Sequence, residues 1–222
     1  MPRRLRPTAA TAPDAILVGD PGRALLLAQE LLEQPKMSNH ARGLWGYYGS
    51  TPSGDPLTIQ STGMGGPSAA LVLDDLAELG VRRAVRVGTC VGLGGGSLGE
   101  LLLVREAVAT GGSAASLGVA AGTAVAPDRE LTERLAAELG GKCHLAVVSS
   151  VDAHPPAPPG NAGAIAADMQ TAPLLVRAAT RKVGLAVLLI VSEQGDGEIL
   201  ERDDLEEREK RAGRAAEAVL SG

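Results

Sequence analysis

Phenylalanine is absent from the 222 residues, and the aromatics are three: Trp45, Tyr47 and Tyr48. A core without aromatic bulk must be built from Leu, Val, Ala and Ile, which suits buried parallel strands covered by Ala-rich helices. Cysteine is equally scarce. Cys90 and Cys143 cannot make a disulfide framework or a zinc cluster, and they read as reduced, packed thiols. Long apolar runs are missing too: the longest, residues 183–191, is interrupted by Gly184 and falls far short of the roughly 20 residues of a membrane helix. There is no basic excess, since 21 Lys and Arg face 26 Asp and Glu for a net charge of −5, so neither nucleic acid nor a membrane is expected as partner. Small molecules remain. The first residues, Met1-Pro-Arg-Arg-Leu-Arg-Pro7, are basic but lack the apolar segment of a secretory leader. They read as a flexible tail over 1–13, and the chain is expected in the cytoplasm.

What the sequence does contain is an alternation of short apolar runs and amphipathic stretches across 14–222, the pattern of one α/β domain with helices against a sheet. Strands are expected at 15–18, 84–87, 101–104, 145–149 and 186–191. Residues 43–50 and 57–61 flank Thr51-Pro-Ser-Gly-Asp55 and read as a hairpin. Helices are expected from about Ala24, from the turn at 63–68 to about Leu79 with Pro67 in its first turn, and over 128–139, 171–182 and 203–220. Loops are expected at 88–96 and in the proline-rich stretch 151–163.

Two glycine patterns lead away from nucleotide cofactors. Gly94, Gly96 and Gly99 match G-x-G-x-x-G, but a strand follows them where the dinucleotide fingerprint demands a helix. Gly63-Met-Gly-Gly lies between strand and helix yet lacks the third glycine and the acidic residue about 20 positions on. No P-loop is present. The arginines are more informative, because they stand at loop boundaries: Arg23 after Gly19-Asp-Pro-Gly, Arg42 before the Trp-containing strand, and Arg86 inside an apolar strand. An unpaired guanidinium in a buried strand costs several kcal/mol by order of magnitude, so Arg86 must serve a ligand or pair with a carboxylate such as Asp75 or Glu106. Gly88-Thr89 follows it at once, offering backbone N–H groups and a hydroxyl around an anion.

Gly19-Asp-Pro-Gly-Arg23, Ser61-Thr-Gly-Met-Gly-Gly-Pro-Ser68, Arg86-Val-Gly-Thr-Cys90, Asp168-Met-Gln-Thr-Ala172 and Val191-Ser-Glu193 occur in this order, and with them the chain resembles the nucleoside phosphorylases of the purine nucleoside phosphorylase and uridine phosphorylase type from about Asp14 to Val219. The resemblance implies a single three-layer α/β/α domain with a mixed, partly barrel-like central sheet. It implies a pentosyltransferase that splits a nucleoside's N-glycosidic bond with inorganic phosphate, giving base and ribose 1-phosphate, with phosphate as co-substrate and no cofactor or metal. Gly19, Arg23, Arg86 and Thr89 would cradle the phosphate. Arg42 falls where the family donates an arginine across a subunit interface, which implies a homo-oligomer, a dimer or a trimer of dimers. Met169 would pack against the sugar, Gln170 would meet its hydroxyls, and Ser192-Glu193 would assist the departing base, with Glu193 and Arg86 the catalytic pair.

Several positions depart from the family pattern. Gln170 stands where the family carries a glutamate, so a neutral amide replaces a charge that would favour a developing cation, a kind of loss worth roughly 10²–10³ in rate. Glu193 is one methylene longer than the family's aspartate. Val91 replaces a glycine on the base side of the pocket. The histidine lent to a neighbour's ribose site is absent, leaving Arg4 or Arg6 in its place. The base-stacking aromatic is also missing: His154 is the candidate ring and Asp152 a candidate base-binding acid, although a solvated loop histidine is an equal reading of His154. No uridine-type Gln-x-Arg pair is found, which tilts the expectation towards a purine or modified ring. The alternatives are a weakened or non-catalytic nucleoside- and phosphate-binding homologue, or a hydrolase of the same fold.

Overall fold

In the computed structural model, which describes residues 4–154 and 163–221, the chain alternates strands and helices around one sheet. The strands are β1 (Asp14–Val18), β2 (Glu33–Asn39), β3 (Gly46–Ser50), β4 (Pro56–Ser61), β5 (Arg83–Gly92), β6 (Leu101–Ala109), β7 (Ala124–Val125), β8 (His144–Ser150), β9 (Ala164–Asp168) and β10 (Gly184–Gln194). The helices are α1 (Pro21–Leu31), α2 (Gly65–Glu78), α3 (Gly112–Ala115), α4 (Arg129–Leu139), α5 (Thr171–Arg181) and α6 (Arg202–Leu220), with a 3₁₀ turn at Ala41–Gly43.

The sheet is mixed and partly closed. β5 pairs with β10, β10 with β6, β6 with β8, β8 with β9, and β9 returns to β5, while β1, β4, β3 and β2 extend from β5 as an open wing. The length of β5 makes this possible. Its first half, Arg83 to Arg86, holds β1 on one edge, and further along Val91 and Gly92 hold β9.

Two aliphatic cores lie on the two faces of the sheet, because successive strand residues point opposite ways. Leu185, Val187, Leu189 and Val191 join Leu73, Leu76, Leu174 and Ala178 beneath α2 and α5. Ala186, Leu188 and Ile190 join Leu27, Leu31, Leu135 and Ala216 beneath α1, α4 and α6. This is the expected α/β/α layering. Helices approach closely where aromatic bulk is missing: a Cβ on Gly213 of α6 would come within 2.6 Å of Leu27 on α1.

Helix starts follow local chemistry. Asp20 caps α1 by accepting from the Arg23 backbone N–H at 2.8 Å, and Pro21 opens the first turn. Asp128 caps α4 in the same way through Leu131.

Two expectations change. Residues 88–92, read as loop, continue β5, since β10 pairs with it along its full length and lets glycines sit in strand geometry. A Cβ on Gly88 would lie 2.7 Å from the Arg86 guanidinium carbon, so this glycine is what lets that side chain fold back over the strand. Residues 4–12 do not run free as the tail reading supposed: Leu5 is 2% exposed, Asp75 accepts from the N–H groups of Arg4 and Leu5, and Thr58 accepts from Ala12. β2 and β9 have no strong periodic signature, and pairing with neighbours makes them strands. Residues 1–3 of the tail and 155–162 of the proline-rich stretch lie outside the described residues. Among the described residues, no helix is long and apolar enough to cross a membrane.

Candidate functional site

β1, β4, β5 and β10 run parallel, and their carboxyl ends reach one edge of the sheet, the usual place for a ligand crevice. A cavity of about 570 Å³ opens there. Gly19 follows β1, Gly63 to Gly65 follow β4, Thr89 to Val91 come from the far part of β5, Asp168 to Gln170 from the end of β9, Ser192 and Glu193 from β10, and Val151, Ala153 and His154 from the segment after β8.

Ser192 is a bulge residue. Val191 faces Cys90 and Glu193 faces Val91, so Ser192 has no opposite number on β5, and the extra residue re-aims the end of the strand at the cavity. The Ser192 hydroxyl donates to the Cys90 carbonyl at 3.4 Å. Glu193 Oε2 lies 3.1 Å from His154 Nε2, so His154 pairs with the acid instead of standing free as a ring.

Both cavity arginines are buried and each holds a carboxylate. Arg23, 9% exposed, donates from Nε to Glu209 Oε1 on α6 at 2.5 Å. Arg86, 4% exposed, donates from one terminal nitrogen to Asp168 Oδ2 at 3.1 Å and from the other to Gln170 Oε1 at 2.5 Å. Its Nε is a buried donor with no partner among the described residues. Asp168 is the hub: Oδ1 accepts from the Ser150 hydroxyl at 2.8 Å, and Oδ2 accepts from the Thr171 hydroxyl at 2.8 Å and from the Gln170 N–H at 3.2 Å. A carboxylate at the start of α5 also meets the favourable end of the helix dipole.

Burial acts on the titrating groups in the directions expected. Desolvation lowers the Arg86 guanidinium from its ordinary range, opposed by the charge of Asp168. It pushes the Glu209 carboxyl up despite Arg23 beside it. It also pushes the Cys90 thiol far above the usual thiol range, with the Asp168 charge adding to the effect, which leaves Cys90 a protonated, inert wall group.

Gly19, Arg23, Arg86, Thr89, Val91, His154, Met169, Gln170, Ser192 and Glu193 therefore meet around one cavity. Two of the expected residues do not join them. Asp152 turns to the start of α3, where it accepts from the Ser113 N–H at 2.9 Å and the Ser113 hydroxyl at 2.5 Å. Arg42 stands exposed in the 3₁₀ turn with a left-handed backbone, φ 60°, outside the cavity lining of its own chain. Asp75 and Glu106 are not what Arg86 pairs with; Asp75 receives Arg4 and Leu5, so Arg4 is engaged away from the cavity.

Sequence reasoning missed Asp168 and Glu209 as the carboxylates of the cradle. A lone strand arginine signals that a partner exists, but neither a separation of 82 residues nor one of 186 can be read without the fold. Met64, 90% exposed at the rim, and Asp20 were also missed.

Comparison with known proteins places these features in context. The Phosphorylase superfamily profile matches residues 13–221. A DeoD-type purine nucleoside phosphorylase of Oceanobacillus iheyensis is 37% identical over 99 residues, which is 44% of this chain and 40% of that protein. One of Clostridium beijerinckii is 37% identical over 103 residues, 46% of this chain and 41% of that protein. The matched stretch thus spans about two fifths of the length of these relatives. Among solved structures, uridine phosphorylase from Vibrio fischeri ES114 superposes with a TM-score of 0.81 at 21% identity, covering 95% of this chain and 92% of that one. Purine nucleoside phosphorylase from Toxoplasma gondii in complex with immucillin-H gives 0.82 at 20% identity, covering 95% and 91%. These two likenesses show the shared fold.

Proposed function

The chain belongs to the Phosphorylase superfamily, and from that premise we propose that it is a nucleoside phosphorylase, a pentosyltransferase acting on a purine or modified nucleoside with inorganic phosphate and no cofactor. The observation that carries the reading is the pair of buried guanidiniums, Arg23 and Arg86, on the wall of one cavity beside Thr89 and Gly19. Charge-assisted donors in a partly dry site are the strong binders of a phosphate oxyanion. A phosphate held there has an oxygen free to attack the anomeric carbon of a sugar packed against Met169. As that C–O bond forms, the C–N bond breaks, its electron pair leaves with the base, and Glu193 in its protonated form delivers the proton the base needs. Glu193 then regains a proton from solvent. The products are the free base and ribose 1-phosphate. His154, 3.1 Å from the Glu193 carboxylate, orients the acid in this scheme.

The protein works in the cytoplasm as a homo-oligomer in this reading, with the exposed Arg42 completing a neighbour's phosphate cradle. A second reading, hydrolysis by water in the same cavity, is favoured by one observation: both arginines already hold carboxylates, which reduces their pull on a dianion. The deciding experiment follows base release from a nucleoside panel with and without phosphate, and identifies the sugar product, with Arg86→Ala as control. Ribose 1-phosphate formed only with phosphate supports phosphorolysis. Free ribose at a rate indifferent to phosphate supports hydrolysis, and no base released under either condition refutes both.

A further inference from the structure

Gln170 was expected to meet the sugar's hydroxyls, and its hydrogen bonds give it a different task. A primary amide carries two donor hydrogens and one acceptor oxygen with two lone pairs. Gln170 is 3% exposed at the junction of β9 and α5. Its Nε2 donates to the Gly63 carbonyl at 2.5 Å and to the Gly65 carbonyl at 3.4 Å, so both hydrogens are engaged by the turn that opens α2. Its Oε1 accepts from Arg86 at 2.5 Å and lies 3.1 Å from the Thr62 hydroxyl, which divides its single hydrogen between Oε1 and the Val18 carbonyl at 3.0 Å. The amide's orientation is dictated by these partners. Flipping it would set N–H groups against the guanidinium and an oxygen against two carbonyls.

The geometry points to Gln170 as a positioning residue, a neutral tie between the 63–65 turn and the Arg86 guanidinium, that leaves the recognition of the sugar's hydroxyls to other groups. The inference rests on the phosphorylase reading for its kinetic consequences, while the tie itself does not depend on it. In this chain the amide satisfies the guanidinium and both carbonyls at once. A carboxylate has no hydrogen to give Gly63 or Gly65 and would press its second oxygen against a carbonyl at 2.5 Å. It would also give Arg86 a second anionic partner beside Asp168, and so oppose any anion entering the cradle.

Gln170→Glu and Gln170→Met test this, each first checked for folding by thermal melt. For Gln170→Glu, isothermal calorimetry with inorganic phosphate is expected to show affinity falling about ten- to a hundredfold, the weight of one hydrogen bond to a charged group. The ratio of kcat/KM between a ribonucleoside and its 2′-deoxy counterpart is expected to stay within about twofold of the parent's, because no bond to the sugar is lost. Gln170→Met is expected to speed amide hydrogen exchange in the 62–70 segment, a readout independent of activity. Unchanged exchange in Gln170→Met, or a gain in kcat with unchanged phosphate affinity and a shifted ribo-to-deoxyribo ratio in Gln170→Glu, would overturn the assignment. Should the parent chain bind no phosphate, the phosphorylase reading fails, and the exchange measurement still decides whether Gln170 ties the turn.

Discussion

Replacing Asp168 by Asn changes almost no volume and removes one charge from the most densely bonded carboxylate of the site. The Asp168 side chain is fully buried against Arg86, and its two oxygens accept from Arg86, Ser150, Thr171 and the Gln170 N–H. In Asp168→Asn, one of those positions must carry an NH2 group facing donors, and Arg86 keeps its charge in the interior without a counter-ion. Breaking a buried pair by neutralising one partner is worth about 3–5 kcal/mol. At about 2–4 °C per kcal/mol for a domain of this size, the melting temperature is expected to fall by about 6–20 °C. Two further measurements separate this cause from a general packing fault. Arg86→Met combined with Asp168→Asn removes both charges and is expected to be more stable than Asp168→Asn alone, a coupling above about 0.5 kcal/mol. Inorganic phosphate, which can supply the missing negative charge, is expected to raise the melting temperature of Asp168→Asn more than that of the parent. A melting temperature within about 2 °C of the parent, or additive behaviour in the double variant, would refute the charge argument.

Two other outcomes follow from the buried titratable groups. Because burial raises the Glu209 carboxyl above its ordinary value of 4.5, the folded protein holds that proton more tightly than the unfolded chain does. The stabilisation from this group is complete below the ordinary value and is lost as pH rises through the raised one, so the stability margin of the parent over Glu209→Gln should shrink as pH rises from 4.5 upward. Denaturant melts across that range check it, and a margin that widens with pH contradicts it. The thiols should differ in access: Cys143 is partly exposed and Cys90 buried, so a disulfide reagent should titrate one thiol per native chain and two after unfolding. Rapid reaction of both in the native protein would show that the cavity wall at Cys90 opens.

The fold was legible where local chemistry and the core agree. The hairpin around Thr51 to Asp55 is a local device, and the apolar runs of β1, β6, β8 and β10 announce themselves, whereas α1 was expected from about Ala24 and begins at Pro21, where Asp20 caps it. The far part of β5 was not legible, because Gly88 and Gly92 have weak strand preference and are held in place by β10 and β9, which lie far away in the sequence. The same holds for β9, whose small residues acquire strand character only by lying between β8 and β5.

The sequence by itself determined that Arg86 needs a partner or a ligand, that Arg23 follows a glycine turn, and that an acid stands at the end of the last strand. Those are consequences of residue type and neighbourhood. Which carboxylates hold the arginines, which hydrogen bonds occupy Gln170, and that His154 faces Glu193 while Asp152 turns to α3 were decided by the tertiary structure. The physical reason is distance. These contacts join residues separated by 39 to 186 positions, and a hydrogen bond depends on placement to within a few tenths of an ångström, which only the closed sheet provides.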